Sequence, residues 1–162
     1  MIEMQLGGLG FDPKNMSPIV LLKDPEERNF LPIWIGMFEA AAIAMELQSF
    51  KTPRPMTHDL LANTIKALGA KAEKVVITHI VENTFYSEIS LIKDGNLLVL
   101  DSRPSDSIAI AVRLDIPIYV SESVMSTAKM VNVEKDEKEA QKFKDFIDNI
   151  NPDDFKKHLG ND

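Results

Sequence analysis

Two short segments carry side chains able to hold a phosphate or move a proton. Arg54-Pro55-Met56-Thr57-His58-Asp59 places a guanidinium, an imidazole and a carboxylate close together in the chain, and Asp101-Ser102-Arg103-Pro104-Ser105-Asp106 places a guanidinium between carboxylates. Arginine suits phosphate because its planar fork donates to two oxygens at once. Carboxylate oxygens suit Mg²⁺ or Mn²⁺. Histidine exchanges a proton near neutral pH and so serves as general acid or base. Helix capping accounts for part of the same pattern. Thr57 reads as an N-cap with Asp59 in the first turn, and Pro104 and Asp106 read as N1 and N3 of a later helix, with Arg103 free to pair with Asp101 or Asp106. Capping leaves Arg54 and His58 unexplained.

A fourth carboxylate, Glu39, enters through an internal repeat. Leu21-Leu22-Lys23-Asp24 matches Leu91-Ile92-Lys93-Asp94, and Asn29-Phe30-Leu31 matches Asn96-Leu97-Leu98. Glu39-Ala40-Ala41-Ala42-Ile43-Ala44 then matches Asp106-Ser107-Ile108-Ala109-Ile110-Ala111, which makes Glu39 the counterpart of Asp106. Three matches in one order, offset once at a turn, favour duplication. The two carboxylates are either dipole partners of their own helices or groups that converge.

The elements that must position these residues follow from periodicity. Residues 2–11, 18–23 and 30–35 read as strands, 37–49 as an alanine-rich helix, and 58–68 as a second helix ended by Gly69. Residues 73–82 and 85–91 read as strands, Asp94-Gly95 as a hairpin turn, Leu97-Leu98-Val99-Leu100 as a central strand apolar on both faces, 104–114 as a helix and 116–120 as a short strand. Ile33-Trp34-Ile35-Gly36 reads as a core strand ending at glycine, with base stacking by Trp34 the less favoured alternative. Past Val131, Phe143, Phe146, Ile147 and Ile150 make one apolar stripe on a charged helix, fit to dock on the domain or on a second subunit.

Composition narrows the function. The 162 residues fit one domain, and the net charge of −7 disfavours non-specific coating of nucleic acid while leaving room for a local basic pocket. Cysteine is absent, which excludes thiolate catalysis, disulfides and cysteine metal sites. No apolar run reaches the ~18 residues a membrane span needs. No signal-peptide pattern opens the chain, so the expected location is cytoplasmic. Gly7-Gly8-Leu9-Gly10 precedes no helical pattern and is neither a dinucleotide loop nor a P-loop, and no organic cofactor is expected.

Three blocks together resemble the bifunctional nuclease family: Leu31-Pro32-Ile33-Trp34-Ile35-Gly36 with Glu39-Ala40, Arg54 through Leu60, and Ser102 through Ala109. The resemblance covers roughly residues 2–131. It implies an α+β domain over residues 1–131, built of duplicated β3α2 repeats (about 2–69 and 73–131) that share one barrel-like curved sheet, followed by a charged helical tail over 132–162. An open mixed sheet of the same elements is the second choice. The resemblance also implies a homodimer and hydrolysis of phosphodiester bonds in RNA and DNA. On that reading Glu39, His58, Asp59 and Asp106 are the catalytic candidates, Arg54 and Arg103 bind phosphate, and Glu39, Asp59 and Asp106 hold Mg²⁺ or Mn²⁺. The helix starts at Glu39, His58 and Asp106 would then face a common groove that admits a single strand. The alternative is a non-catalytic dimeric binding or regulatory protein whose polar clusters are caps and ion pairs. A shared cleft for these residues favours the first, scatter the second.

Overall fold

Alternating and continuous apolar runs place eight strands and four helices in the computed structural model, which describes residues 1–132 together with Gln141 and Asp145. Strands β1 (Ile2–Asp12), β2 (Ser17–Lys23) and β3 (Asn29–Trp34) form an antiparallel meander, followed by helices α1 (Met37–Leu47) and α2 (Thr57–Ala67). Strands β4 (Lys71–Val81), β5 (Thr84–Lys93) and β6 (Asn96–Ser102) form a second meander, followed by α3 (Pro104–Leu114), β7 (Ile118–Val120), α4 (Glu122–Thr127) and β8 (Val131–Asn132). The apolar stripe of Phe143, Phe146, Ile147 and Ile150 lies outside the described residues.

The α+β class holds, and the barrel-like closure does not. The sheet runs β6-β5-β4-β7-β1-β2-β3-β8. Strand β7 joins the two meanders, antiparallel to β1 and parallel to β4. A barrel closes only when its end strands pair. Here β6 pairs with β5 and β8 with β3, so among the described residues both ends are open and the sheet is mixed.

Local chemistry explains the turns and the ends of the helices. Asp94 and Gly95 take φ of 51° and 76°, the type I′ geometry of a two-residue hairpin. Gly69, at φ +73°, ends α2 in a Schellman motif, its N–H donating to Lys66 and that of Ala70 to Ile65. Three local expectations are corrected. The N-cap of α2 is Met56, so Thr57 already lies in the helix. Trp34 is 48% exposed and donates its indole N–H to Asp12 at 3.0 Å, instead of filling the core. The third correction is β6, which is an edge strand with Leu97 through Leu100 all 41–62% exposed. A continuous apolar run identifies a strand but does not name its neighbours.

One core joins sheet and helices: Val20, Leu22, Leu31, Val75, Ile77 and Ile89 from the strands meet Ile43, Ile65, Ile108 and Ile110 from α1–α3. At the centre of the helical layer lies Arg113, its side chain 5% exposed. Its Nε donates to Asp59 Oδ1 of α2 at 2.8 Å, one Nη to Ala42 O of α1 at 3.0 Å, and the other to Ala109 O of its own helix at 3.0 Å. A buried guanidinium is tolerable only when paired in this way.

Hydrogen bonds from Arg113 and from the Met56 amide outweigh desolvation and hold the Asp59 carboxyl below its ordinary 3.8. A native state with a lowered carboxyl pKa binds fewer protons than the unfolded chain, so this contribution is complete above pH 3.8 and is lost as the pH falls below it. Asp59→Asn is expected to cost about 1–3 kcal/mol near neutral pH. Urea denaturation at pH 7 and at pH 3 should give a gap between wild type and variant that narrows in acid. An equal gap at both would contradict a charged partnership with Arg113.

Candidate functional site

The starts of α1, α2 and α3 follow one plan. Gly36, Met56 and Arg103 are the three N-caps, each with extended backbone, and three residues on stand Glu39, Asp59 and Asp106. A carboxylate at N3 ordinarily reaches back to its own N-cap amide. Asp59 does this, its Oδ2 accepting from Met56 N at 2.9 Å. Glu39 and Asp106 instead converge on Arg103.

Arg103 Nε donates to Asp106 Oδ2 at 2.8 Å, and its Nη2 donates to Glu39 Oε1 at 2.9 Å. Asp106 Oδ1 lies 2.8 Å from His58 Nε2. Four residues from three helix starts thus form one hydrogen-bonded chain: Glu39, Arg103, Asp106 and His58. Burial opposes ionisation of Asp106, but hydrogen bonds from Arg103 and His58 prevail and lower its pKa. An ionised carboxylate only accepts, so Nε2 of His58 carries a proton, and in the neutral tautomer this leaves the lone pair on Nδ1. The bonds to Asp106 and Glu39 raise the pKa of Arg103 and keep it charged. Two of its five N–H groups are engaged, and the side chain is two-thirds exposed, so donors remain for an incoming anion.

Neighbouring residues fix this arrangement. Ser87, fully buried on β5, donates to Ser102 O at 2.8 Å and meets the Ser107 hydroxyl at 3.0 Å, and Ser107 donates to Pro104 O at 3.0 Å. These bonds flank Arg103 and set the junction of β6 with α3. A Cβ at position 36 would overlap Glu39 Oε2, so glycine leaves room for that carboxylate to fold back over the helix start.

The chain of polar groups lines a cavity of about 830 Å³. Its apolar wall comes from Phe38, Met45, Met56, Leu61, Val99 and Leu100. Phe38, adjacent to Glu39, is 86% exposed. Sequence reasoning noted Phe38 beside a helix entry and Ser107 within the Ser102–Ala109 block without giving either a role, and it missed Ser87, which nothing in the chain marks.

Of the sequence candidates, Glu39, His58, Arg103 and Asp106 meet in this cavity. Asp59 and Arg54 do not. They line a separate cavity of about 340 Å³ against the next face of α2. The expected metal set of Glu39, Asp59 and Asp106 is therefore not assembled. Both oxygens of Asp106 and one of Glu39 are spent on His58 and Arg103, and among the described residues no group of three His, Asp or Glu stands close enough to hold a metal ion.

The bifunctional nuclease domain model matches residues 20–133 of this sequence. The chain belongs to the bifunctional nuclease family. A Mycobacterium tuberculosis protein, itself uncharacterized, is 42% identical over 165 residues, covering 96% of this chain and 99% of that protein. Bifunctional nuclease 1 of Oryza sativa subsp. indica is 30% identical over 109 residues, and Bifunctional nuclease 2 of Arabidopsis thaliana 28% over 108, each match covering 65% of this chain and 33% of the plant protein. The chain thus spans about a third of the length of these plant nucleases. Family membership places the chain in a nuclease family, which is the class of hydrolases that act on nucleic acid. Among the described residues no helix is long and apolar enough to cross a membrane.

The bridge predicts a spectroscopic signature. The Arg103 Nε–H should give a resolved, slowly exchanging resonance in ¹⁵N-edited spectra. Asp106→Asn should remove its protection, whereas Glu39→Gln, which affects only Nη2, should leave it. Equal loss in both variants would contradict the separate bonds described here.

Proposed function

We propose that this chain hydrolyses phosphodiester bonds in single-stranded RNA and DNA at the Glu39–Arg103–Asp106–His58 cluster. The observation that carries the reading is the convergence of an exposed, carboxylate-held guanidinium and a carboxylate-held imidazole in one cavity. A nuclease that accepts DNA as well as RNA cannot depend on a 2′-hydroxyl, so the nucleophile is water. His58 Nδ1 takes a proton from that water as its oxygen bonds to phosphorus, and the bond from phosphorus to the leaving sugar oxygen breaks with its electron pair on that oxygen. The sugar oxygen takes a proton from solvent to leave as the alcohol, and His58 then returns its proton to solvent. The remaining N–H groups of Arg103 receive the charge on the non-bridging oxygens. Asp106 holds both the His58 tautomer and the Arg103 guanidinium, and Glu39 holds the other side of Arg103. Phe38 offers a face for a base of an unpaired strand.

The carboxylates at the site are already engaged, so no step here passes through a divalent metal. Highly purified protein is expected to cleave single-stranded RNA and DNA, and EDTA is expected to leave the rate unchanged. Arg103→Ala and His58→Ala should fold and lose about 10²–10³ in kcat. Lys14→Ala, in the β1–β2 turn, should cleave normally. Full activity in both site variants would rule out this site. A loss of activity in EDTA that Mg²⁺ or Mn²⁺ restores would require the carboxylates to rearrange around a metal.

A duplicated ancestry for the halves is part of this reading. It is supported by the common order of three strands, a helix and a later helix, and by the meeting of the repeat counterparts Glu39 and Asp106 on Arg103.

A homodimer belongs to the reading as well, and β6 supports it. An edge strand with four consecutive exposed apolar residues, and a backbone edge that no other described strand pairs, is a template for a second strand. Antiparallel pairing of β6 with its copy about a twofold axis would extend the sheet and cover them. Val99 and Leu100 also line the cavity, so the dimer would wall the site. Light scattering should report a dimer for wild type and a monomer for Val99→Lys. A dimeric Val99→Lys would place the seam elsewhere, and a monomeric wild type would remove it.

A further inference from the structure

Successive residues of α2 face different cavities. His58 and Leu61 line the cavity of the hydrolytic cluster, while Asp59, Asn63 and Lys66 line the second one together with Phe50, Lys51 and Arg54. The two cavities have opposite charge. The first holds the carboxylates of Glu39, Asp101 and Asp106 against one guanidinium, that of Arg103. The second holds Lys51, Arg54, Lys66 and Arg113 against Glu46 and Asp59, four cations to two carboxylates, in a chain whose net charge is −7.

The cations that matter are free to bind. Asp59 is fully spent on Arg113 and the Met56 amide. Lys51 makes a loose pair with Glu46 at 3.7 Å. Among the described residues Arg54 and Lys66 make no ion pair, although both stand at a concave surface that also holds an aromatic ring, Phe50, 61% exposed. Unpaired cations interleaved with an exposed aromatic are what an unpaired nucleic-acid strand requires: charge for its phosphate, a flat apolar face for its base.

We infer that the second cavity is a nucleotide subsite, in which Lys51, Arg54 and Lys66 hold a backbone phosphate and Phe50 stacks the attached base. It rests on the nuclease reading for the role it plays, namely seating the strand a short distance from the bond being cut. In this acidic protein the subsite supplies the attraction that the hydrolytic cavity lacks. Arg54 is then a substrate-binding residue that does not touch the reacting phosphate.

The test compares a single-stranded DNA 12-mer with a dinucleotide too short to occupy both cavities. Fluorescence anisotropy of the labelled 12-mer should show weaker binding by Arg54→Gln/Lys66→Gln, with the slope of log affinity against log salt reduced by about 1.4 for two lost contacts to a single strand. Phe50→Ala should weaken binding roughly 5- to 100-fold. In cleavage assays the double variant should raise KM for the 12-mer with kcat kept, and should cut the dinucleotide as wild type does. Equal affinity of wild type and double variant for the 12-mer, beside normal cleavage, would overturn the subsite and leave the nuclease reading intact. Weakened binding by the variants with no cleavage by any preparation would sustain the subsite and remove the nuclease reading. Protection of Arg54 and Lys66 by inorganic phosphate, in a protein with no affinity for the 12-mer, would overturn the assignment to nucleic acid. An equal fall in dinucleotide cleavage would mean that these residues act through the fold, and would overturn it too.

Discussion

The buried Arg113 guanidinium is the interaction on which the site depends. It reaches a carboxylate of α2 and a main-chain carbonyl of α1 from within α3, so three helices share one charged group. The first turn or N-cap of each of those helices carries a residue of the Glu39–Arg103–Asp106–His58 cluster. Breaking the clamp leaves an unpaired charge in the core, a penalty of several kcal/mol that the native arrangement avoids. The packing of isoleucines and alanines between helices and sheet brings the helix starts near one another, and the Arg113 bonds set their relative rotation.

A second constraint follows from the acidic chain. An excess of carboxylates repels phosphate, and the protein meets this locally. At the cavity of about 830 Å³, Arg103 is held by two carboxylates yet keeps free donors on an exposed side chain. The adjoining cavity carries the surplus of cations. On the proposed reading, such a division lets the reacting centre be tuned by hydrogen bonds while attraction is supplied from one helix face away.

Much of the fold was legible in the chain because periodicity and turn chemistry are local. The Asp94-Gly95 hairpin, the stop at Gly69 and Pro104 at the first turn of α3 all follow from backbone preferences of single residues. What involves partners distant in sequence was not legible. The apolar run at Leu97–Leu100 shows a strand but not that it lies at an edge. The site divides the same way. Glu39, His58, Arg103 and Asp106 stood out by type, yet the bond from Arg103 to Glu39 spans 64 positions and only the fold creates it. His58 and Asp59 are adjacent in sequence and look like one cluster, but consecutive helical residues point about 100° apart and so serve different cavities. Arg54, in the loop before α2, lines the same cavity as Asp59.

The central claim is that Arg103 and Asp106 act as one unit upon the phosphate. A double-mutant cycle on single-turnover cleavage of a single-stranded substrate tests it most directly, using Arg103→Ala, Asp106→Asn and the pair. Groups that act as a unit lose their effect together. The predicted result is a double variant no slower than the slower single variant. Losses that multiply through the cycle would contradict the account, because the two residues would then act independently.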